Sequence, residues 1–337
     1  MSLSLIFVLV ARTTMSEILG KLPAQYEAAV AAGDLLFYPS TVTKHADKQS
    51  GVEYEIRLCP ALQKKPTQSH TPIAAKPKVD PFLPPYNTLL VGELRDADSE
   101  EEYVVLLNKY SVVPMHFLLV TKEFRSQASP LTPPDLVQTY SLLAAARKAR
   151  RPLFAFYNCG DVSGASQPHR HVQFLPLDLD EDGPPIEYLA RRIKLETPDR
   201  PFTLPLSYAN HVFRFPDRFY AFPRDQLEPI LADAFLGLLD LAISTIRHDP
   251  EYPAGKPSYN VVLTLEHMHL VPRRKEAHIL AETGDELSVN ALAFAGMLLV
   301  KSEAELEAVK KEGVPDILRD VALQSVHDVQ VLAELDE

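Results

Sequence analysis

Two stretches of the chain share one short pattern, and this repetition constrains the fold more than any other feature. Residues 156–176 contain "FYNCG" and then "HRHVQFLP", and residues 258–272 read "SYNVVLTLEHMHLVP". Each stretch has Tyr-Asn, then His-x-His, then a hydrophobic run that ends in Pro, and each follows a segment with helical periodicity. One helix followed by paired strands, used twice, predicts an α+β fold of two related halves with mostly antiparallel neighbours.

The segments around these stretches complete the predicted order of elements. Residues 103–124 predict two strands joined by a turn, and residues 133–150 predict a helix with Asp135 in its first turn and a basic last turn. In the second half we expect a strand at 217–222, a long helix, the strand pair and closing helices from about 285 to 335.

We divide the chain into an N-terminal appendage at 1–14, a first half at 15–200 that carries the chemistry, and a degenerate second half at 201–337. The apolar run "SLSLIFVLVA" has the length of a signal peptide, but no basic residue precedes it and it is too short to span a bilayer. We expect the appendage to be disordered or to reflect an alternative start, followed by a helix behind a Ser cap. No other segment is expected to cross a membrane.

The composition excludes several classes of function. The net charge of −11 over 337 residues argues against general nucleic-acid binding, so an anionic ligand has to be met by local donors. Two cysteines, Cys59 and Cys159, cannot form a disulfide framework or a four-cysteine zinc site. The sequence therefore predicts a protein of a reducing compartment, the cytoplasm first and the nucleus second.

The segment 158–173 concentrates the residues that can do chemistry. Side chains alternate along a strand, so His169, His171 and Gln173 share one face, while Arg170 and Val172 point the other way. A turn rich in Gly and Ser precedes them, and its backbone N–H groups can hold a phosphate. A neutral imidazole is a good nucleophile toward phosphorus when its other nitrogen is held in one tautomer. This segment therefore predicts a site where an anion is held and attacked.

Two alternatives compete with this interpretation. His169 and His171 could be half of a metal site, completed by His267 and His269 if the two halves face each other. The segment could also be a purely structural hairpin, which would explain neither the Gly-Ser turn nor Gln173.

The motifs "YNCG-x-x-SG-x-S" and "H-x-H-x-Q" resemble the transferase branch of the histidine-triad superfamily. "LCPALQKKP", "DPFLPPY", "KYSVVPMHFLLVTKEFRSQ" and "SYNVVLT…VPRR" are similar to the fungal-type ATP adenylyltransferase, also called diadenosine tetraphosphate phosphorylase, over residues 20 to 300. The resemblance implies two fused histidine-triad-like halves. It also implies phosphorolysis of diadenosine tetraphosphate to ATP and ADP through an AMP-histidine intermediate, without a covalent cofactor. The implied partners are small-molecule substrates (diadenosine polyphosphates, ATP, ADP and phosphate), with no nucleic acid and no membrane, and the oligomeric state stays open.

The resemblance also implies roles for single residues. His171 is the nucleophile, His169 orients it, and Gln173 stands where the hydrolases have a third histidine that could activate water. The implied substrate contacts are Asn158, Gly160, Ser163, Gly164, Ala165 and Ser166 for the phosphates, Gln167 near the leaving group, Asn108 and Lys109 for the ribose, Lys64 and Lys65 for the polyphosphate, and Thr264, Arg273 and Lys275 for the outer phosphates or second nucleoside.

His267-Met268-His269 departs from the family pattern, so we expect a packed or surface role there and no metal bound by protein ligands. A divalent Mg or Mn ion is an optional partner of the tetraphosphate. Three rival functions stay open: transfer of another nucleotide such as UMP, a nucleotide-binding sensor without turnover, and a metal-dependent oxygenase-like site.

Overall fold

The computed structural model describes residues 13–64 and 80–326. The predictions for Lys65, for most of the appendage and for the last closing segment therefore lie outside the described residues. The described helices are Met15–Ala32 (α1), Pro133–Lys148 (α2), Pro185–Arg191 (α3), Arg224–Arg247 (α4), Ala291–Phe294 (α5), Glu303–Glu312 (α6) and Val314–Val321 (α7). Short 3-10 helices occupy Pro60–Lys64, Asn87–Leu89 and Phe219–Ala221.

Strands make up most of the remaining regular structure. They are Leu36–Phe37 (β1), Thr41–Ala46 (β2), Glu53–Leu58 (β3), Leu90–Arg95 (β4), Glu102–Leu107 (β5), Tyr110–Ser111 (β6), Phe117–Thr121 (β7), Leu153–Cys159 (β8), His171–Pro176 (β9), His211–Arg214 (β10), Tyr259–Leu263 (β11), His267–Pro272 (β12), Ala277–Ile279 (β13), Glu286–Ser288 (β14) and Met297–Val300 (β15).

One eight-stranded sheet organises the fold, in the order β10-β12-β11-β8-β9-β7-β5-β4. All of its neighbours are antiparallel, which confirms the predicted α+β class with a mostly antiparallel sheet. The two halves meet in its interior, where β8 pairs with β11 and Asn158 lies opposite Asn260. The sheet is continuous across the boundary at residue 200, and the division into two halves stays a prediction.

The two faces of the sheet have different neighbours. Helices α1, α2 and α4 pack on one face through a large hydrophobic cluster that includes Val172 and Phe174. From the same face, the Arg170 guanidinium donates to the Asp135 carboxylate at 2.8 Å, and both side chains are buried. The predicted alternation along β9 is confirmed, because His171 contacts Phe82 on the opposite face. That opposite face carries the candidate site.

The sheet register corrects the alignment of the internal repeat. Asn158 and Asn260 each follow a tyrosine and are direct partners across β8 and β11, so we align the two halves on these positions. Gln173 lies opposite Phe156, two residues before Asn158. The Arg273 backbone N–H donates to the carbonyl of Ser258, two residues before Asn260. Arg273 is therefore the counterpart of Gln173, and Val271 is the counterpart of His171. The two His-x-His segments match in sequence but are displaced by two residues in the structure.

Three local expectations were wrong. Residues 217–222 form a 3-10 turn, and the strand of this region is β10. The segment after residue 285 contains β14 and β15 as well as helices, because β15 pairs in parallel with β3 from the first half. Helix α1 begins behind Thr14, which forms a capping box with Glu17, rather than behind a Ser.

By length and composition alone, helix α4 could cross a membrane. The sequence analysis expected no such segment after the N-terminal appendage. Its apolar side, with Leu231, Phe235 and Leu238, is buried in the cluster that covers the sheet. The hydrophobicity of α4 is therefore that of a core helix.

The buried ion pair between β9 and α2 supplies a test of the fold. Asp135→Ala leaves Arg170 buried without its carboxylate and removes the acceptor of the Tyr103 hydroxyl at 2.9 Å. We expect the free energy of unfolding, measured by urea denaturation, to fall by about 3–5 kcal/mol. The control Asp316→Ala breaks a half-exposed pair with Arg319 and should cost less than about 1 kcal/mol. Equal losses in the two variants would contradict a structural role for the buried pair.

Candidate active site

His171 lies at the start of β9 with its side chain almost fully buried. Its Nδ1 lies 2.8 Å from the His169 carbonyl oxygen, which can only accept, so Nδ1 carries the proton and Nε2 keeps a lone pair. Nε2 has no hydrogen-bond partner in the part of the chain that the structure describes. Burial lowers the pKa of His171 to about 4, so the ring is neutral at physiological pH. The imidazole thus has the tautomer and the charge of a nucleophile.

His169 has both ring nitrogens occupied. Nδ1 lies 2.7 Å from the Asp80 carboxylate, and Nε2 lies 2.7 Å from the Thr121 carbonyl oxygen. The Phe82 ring packs against both histidines, 5.9 Å from His169 and 5.0 Å from His171 between ring centroids. His169 therefore has no free nitrogen for attack, and it acts on His171 through its backbone carbonyl.

Gln127 replaces the missing ladder bonds where β8 and β9 separate. Its Oε1 accepts from the His171 backbone N–H at 2.8 Å, and its Nε2 donates to the Asn158 carbonyl at 2.7 Å. One buried amide thus fixes the distance between the nucleophile strand and the start of the Gly-Ser loop.

The Gly-Ser loop follows β8 and requires glycine at two positions. Gly160 and Gly164 both have positive φ, at 90° and 79°. A Cβ at Gly160 would lie 2.4 Å from the Ser258 hydroxyl oxygen, and one at Gly164 would lie 2.6 Å from the Val289 carbonyl oxygen. The loop is therefore pressed against the second half, and only glycine allows this approach.

A cavity of about 320 Å³ lies between this loop and the segment that carries Gln127. Its lining includes Gly160, Ala165, Ser166 and Gln167, four of the predicted contacts. Ser163 is different: its side chain is fully buried and its hydroxyl donates to the Gly160 carbonyl at 2.7 Å. The volume falls within the range of small-molecule sites, at the lower end.

Asn158 is the penultimate residue of β8 and lies on the same face of the sheet as His171. Its Oδ1 accepts from the Asn260 side chain at 2.8 Å and from the Ala291 backbone N–H at 2.9 Å. Its Nδ2 is buried and has no partner among the described residues. A buried donor without an acceptor is costly, so this NH2 group is suited to a ligand oxygen.

Gln173 and Asn108 are connected through His116, a residue that the sequence did not single out. The Asn108 amide bonds the His116 Nδ1 at 3.0 Å, and the Gln173 side chain lies beside the same ring. Burial lowers the pKa of His116 to about 4, so this ring is also neutral. Lys109 is exposed at the same turn. Lys64 ends a 3-10 helix, and its side chain is outside the described part.

Three predicted contacts lie elsewhere. Arg273 is fully buried, and its guanidinium donates to carbonyl oxygens and to Asn260, so it is not available to outer phosphates. Thr264 is buried in the β11–β12 turn and donates to Glu187 at 3.0 Å. Lys275 pairs with Asp320 at 2.7 Å and lines a different cavity, of about 700 Å³. Thr264, Arg273 and Lys275 are residue types that suit an anion site, but the fold does not bring their side chains to His171.

The second His-x-His pair contacts a carboxylate rather than the first pair. His267, His269 and Glu187 offer ligand atoms within 4.8 Å of one another, the one cluster of this kind among the described residues. Arg214 donates from Nε to the His267 Nε2 at 2.9 Å, so the proton of this ring sits on Nδ1 and points at Glu187. Burial by itself raises the pKa of Glu187, but the two histidines outweigh it and hold that pKa well below its usual range. Hydrogen bonds thus occupy the groups that a metal would need.

The sequence missed Asp80, Phe82, Gln127 and Asn260. Asp80 and Phe82 lie in "DPFLPPY" and Gln127 in "KYSVVPMHFLLVTKEFRSQ", two motifs in which the sequence analysis gave a role to Lys109 alone. Asn260 belongs to the second Tyr-Asn pair of the internal repeat. Its match to Asn158 in that repeat was the sequence signal that could have predicted a role for it.

Comparison with known proteins identifies the family of this chain. Residues 11–191 match the family model of the Ap4A phosphorylase N-terminal domain, and residues 204–324 match that of the ATP adenylyltransferase C-terminal domain. The chain belongs to the Ap4A phosphorylase family. The predicted resemblance is confirmed, and so is the prediction of a nucleotidyltransferase enzyme.

Two proteins of Saccharomyces cerevisiae are similar over most of their length. Protein APA1 is 30% identical over 316 residues, which cover 89% of this chain and 91% of that protein. Diadenosine 5',5'''-P1,P4-tetraphosphate phosphorylase 2 is 31% identical over 305 residues, which cover 87% and 90%.

Solved structures of yeast Ap4A phosphorylase Apa2 share the fold. The complex with AMP has a TM-score of 0.75 and 28% identity, covering 91% of this chain and 97% of that one. The complex with Ap4A has a TM-score of 0.73 and 27% identity, covering 92% and 98%.

The close approach at Gly164 predicts that a single methyl group displaces the loop. We expect Gly164→Ala to weaken AMP binding at least tenfold, measured by calorimetry, because the Val289 carbonyl cannot move without shifting β14 and α5. Gly284→Ala is the matched control: its φ of 73° imposes the same backbone strain, but nothing lies within 4 Å of the added Cβ. Equal AMP affinities in the two variants would contradict a role for the Gly164 contact in binding.

Proposed function

We propose that this chain catalyses the phosphorolysis of diadenosine tetraphosphate to ATP and ADP through an AMP group carried on His171. Its relatives are named for this activity, and a relative of the same fold has been solved with Ap4A and with AMP. The observation that carries the proposal is the state of His171: neutral, protonated on Nδ1 by its bond to the His169 carbonyl, and with Nε2 free.

The proposed reaction has two displacements at one phosphorus. Nε2 of His171 attacks the phosphorus next to one adenosine, a P–N bond forms, and the bond to the bridging oxygen breaks, which releases ATP. An oxygen of inorganic phosphate then attacks the same phosphorus, the P–N bond breaks, and ADP leaves. Both leaving groups are stable without an obligatory proton, since one is a polyphosphate anion and the other is an imidazole that regains its neutral form.

Phosphoryl oxygens would meet donors rather than cations. The Gly-Ser loop offers backbone N–H groups, and Asn158 offers its unpartnered Nδ2. In a buried site such fixed donors act strongly on a developing negative charge. Among the described residues that line the cavity, the one charged side chain is Asp161, which is negative. Because the lining supplies no cation, we propose that a Mg or Mn ion on the tetraphosphate neutralises its charge.

Gln173 accounts for transfer in place of hydrolysis. Its amide can bond a phosphoryl oxygen but cannot remove a proton from water near neutral pH. The neighbouring His116 has a pKa lowered by burial and is held by Asn108, so it does not take over that role. The AMP-histidine would therefore persist until phosphate arrives. We place the enzyme in the cytoplasm, where the free thiols Cys59 and Cys159 stay reduced.

Intact mass spectrometry tests the covalent step. Mixed with diadenosine tetraphosphate and no phosphate, the wild-type chain should gain the mass of one AMP and release ATP, and added phosphate should discharge the adduct as ADP. His171→Ala should show no adduct. His169→Ala keeps the backbone carbonyl that orients His171, so it should slow adduct formation without abolishing it.

Two other outcomes would redirect the proposal. Tight nucleotide binding without an adduct in the wild type would indicate a nucleotide sensor, and an adduct that survives in His171→Ala would mean that another residue is the nucleophile.

The lowered pKa of His171 predicts a flat pH dependence. Burial disfavours the imidazolium, so the nucleophile is lost only as the pH falls through about 4. The single-turnover rate of AMP transfer should therefore change less than twofold between pH 8 and 5.5, whereas a histidine with an ordinary pKa near 6.5 would lose about tenfold. Circular dichroism at each pH controls for unfolding. A midpoint near 6.5 would contradict the buried, neutral state.

A further inference from the structure

We propose that Arg273 and Asn260, in the degenerate half, are positioning residues that force the Asn158 amide to present its NH2 group to the phosphate attacked by His171. The inference rests on the proposed function for the identity of the ligand. It gives the second half a defined part in the reaction, although that half lacks a nucleophile.

Arg273 is the origin of the arrangement because a guanidinium can only donate hydrogen bonds. It is fully buried at the end of β12 and contacts no carboxylate among the described residues. Its donors go to one side chain, Asn260, and to main-chain carbonyl oxygens, those of Ser163, Val289, Lys275, Glu276 and Val321. Any group that forms a hydrogen bond with Arg273 must therefore present an acceptor atom to it.

Asn260 receives its direction from Arg273. The guanidinium Nη1 donates to the Asn260 Oδ1 at 2.6 Å, so the NH2 group of this amide has to point away. That NH2 group donates to the Asn158 Oδ1 at 2.8 Å and to the Ser163 carbonyl at 2.9 Å. The β8–β11 register, which places Asn158 and Asn260 opposite each other, makes this contact.

Asn158 receives its direction from two donors. Its Oδ1 accepts from Asn260 and from the Ala291 backbone N–H at 2.9 Å, and neither group can accept a hydrogen bond in return. The Asn158 NH2 group is then the end of the series, 1% exposed as a residue and without a partner in the described chain. The Arg273 guanidinium, which can only donate, thus sets the orientation of the Asn260 amide and through it that of the Asn158 amide. The Asn158 NH2 group is the donor that remains free for a ligand.

The same two residues hold the Gly-Ser loop. Both Asn260 and Arg273 donate to the Ser163 carbonyl, and Arg273 also donates to the Val289 carbonyl, which the backbone at Gly164 approaches. The loop and the Asn158 amide are therefore fixed by one network, so the phosphate meets both sets of donors in a single geometry.

Asn260→Asp tests the polarity directly, because a carboxylate still accepts from Arg273 but can no longer donate to Asn158. The Asn158 amide should turn its NH2 group toward the new carboxylate and its oxygen toward the phosphate. We expect the single-turnover rate of AMP transfer and the affinity for AMP each to fall about 10- to 100-fold in the full chain, as for one lost hydrogen bond to a charged group. Asn210→Asp is the control, since the hydrogen bonds of this buried amide go to main-chain atoms of residues 204 and 208 and not to Asn158. It should lower thermal stability and leave the rate per folded molecule unchanged.

A double-mutant cycle separates positioning from general damage. Asn158→Ala removes the amide on which Asn260 acts, so in that background Asn260→Asp should reduce the rate by clearly less than in the wild type, with only the lost bond to the Ser163 carbonyl remaining. Full additivity of the two losses would overturn the proposal, as would a wild-type rate in Asn260→Asp. If the wild type forms no AMP adduct, the proposed function fails, and AMP affinity in the same four proteins still decides whether Asn260 acts through Asn158.

Discussion

Antiparallel pairing of β8 with β11 brings Asn158 opposite Asn260 and turns two half-sheets into one. The strand that leads into the Gly-Ser loop is thereby braced by the other half of the chain. Asn260 and Arg273 reach the loop from that half, and the backbone at Gly164 can approach it closely because no Cβ intervenes. In the proposed reaction the first half carries the nucleophile, and the second half fixes the donors around it.

Burial explains how a chain with a net charge of −11 can act on a polyanion. A surface rich in carboxylates repels a tetraphosphate at long range, so the attraction has to be local and short in range. In the proposed reaction, neutral donors in a site of low dielectric provide this attraction, and the same burial keeps His171 in its neutral form. One physical cause, the removal of water, then serves both the proposed nucleophile and the anion.

The second His-x-His pair shows where pattern matching misleads. His267 and His269 look like a copy of His169 and His171, yet the register displaces them by two residues and sets them against Glu187. An alignment of sequences matches residues by type, whereas the structural equivalence of positions in the two halves depends on which residues pair across the strands. The parallel pairing of β15 with β3 was also beyond prediction, because nothing local joins strands about 240 residues apart.

The sequence by itself determined the local elements and the chemistry of one strand. Periodicity defined α2, β8 and β9, and alternation placed His171 and Gln173 on one face with Arg170 on the other. Only the tertiary structure decided that the Asp80 carboxylate meets His169, that Gln127 spans the gap beside His171, and that Arg273 is structural. The reason is physical: side-chain direction within a strand is a property of the backbone nearby, but the partner that a polar group finds depends on segments that folding brings from far along the chain.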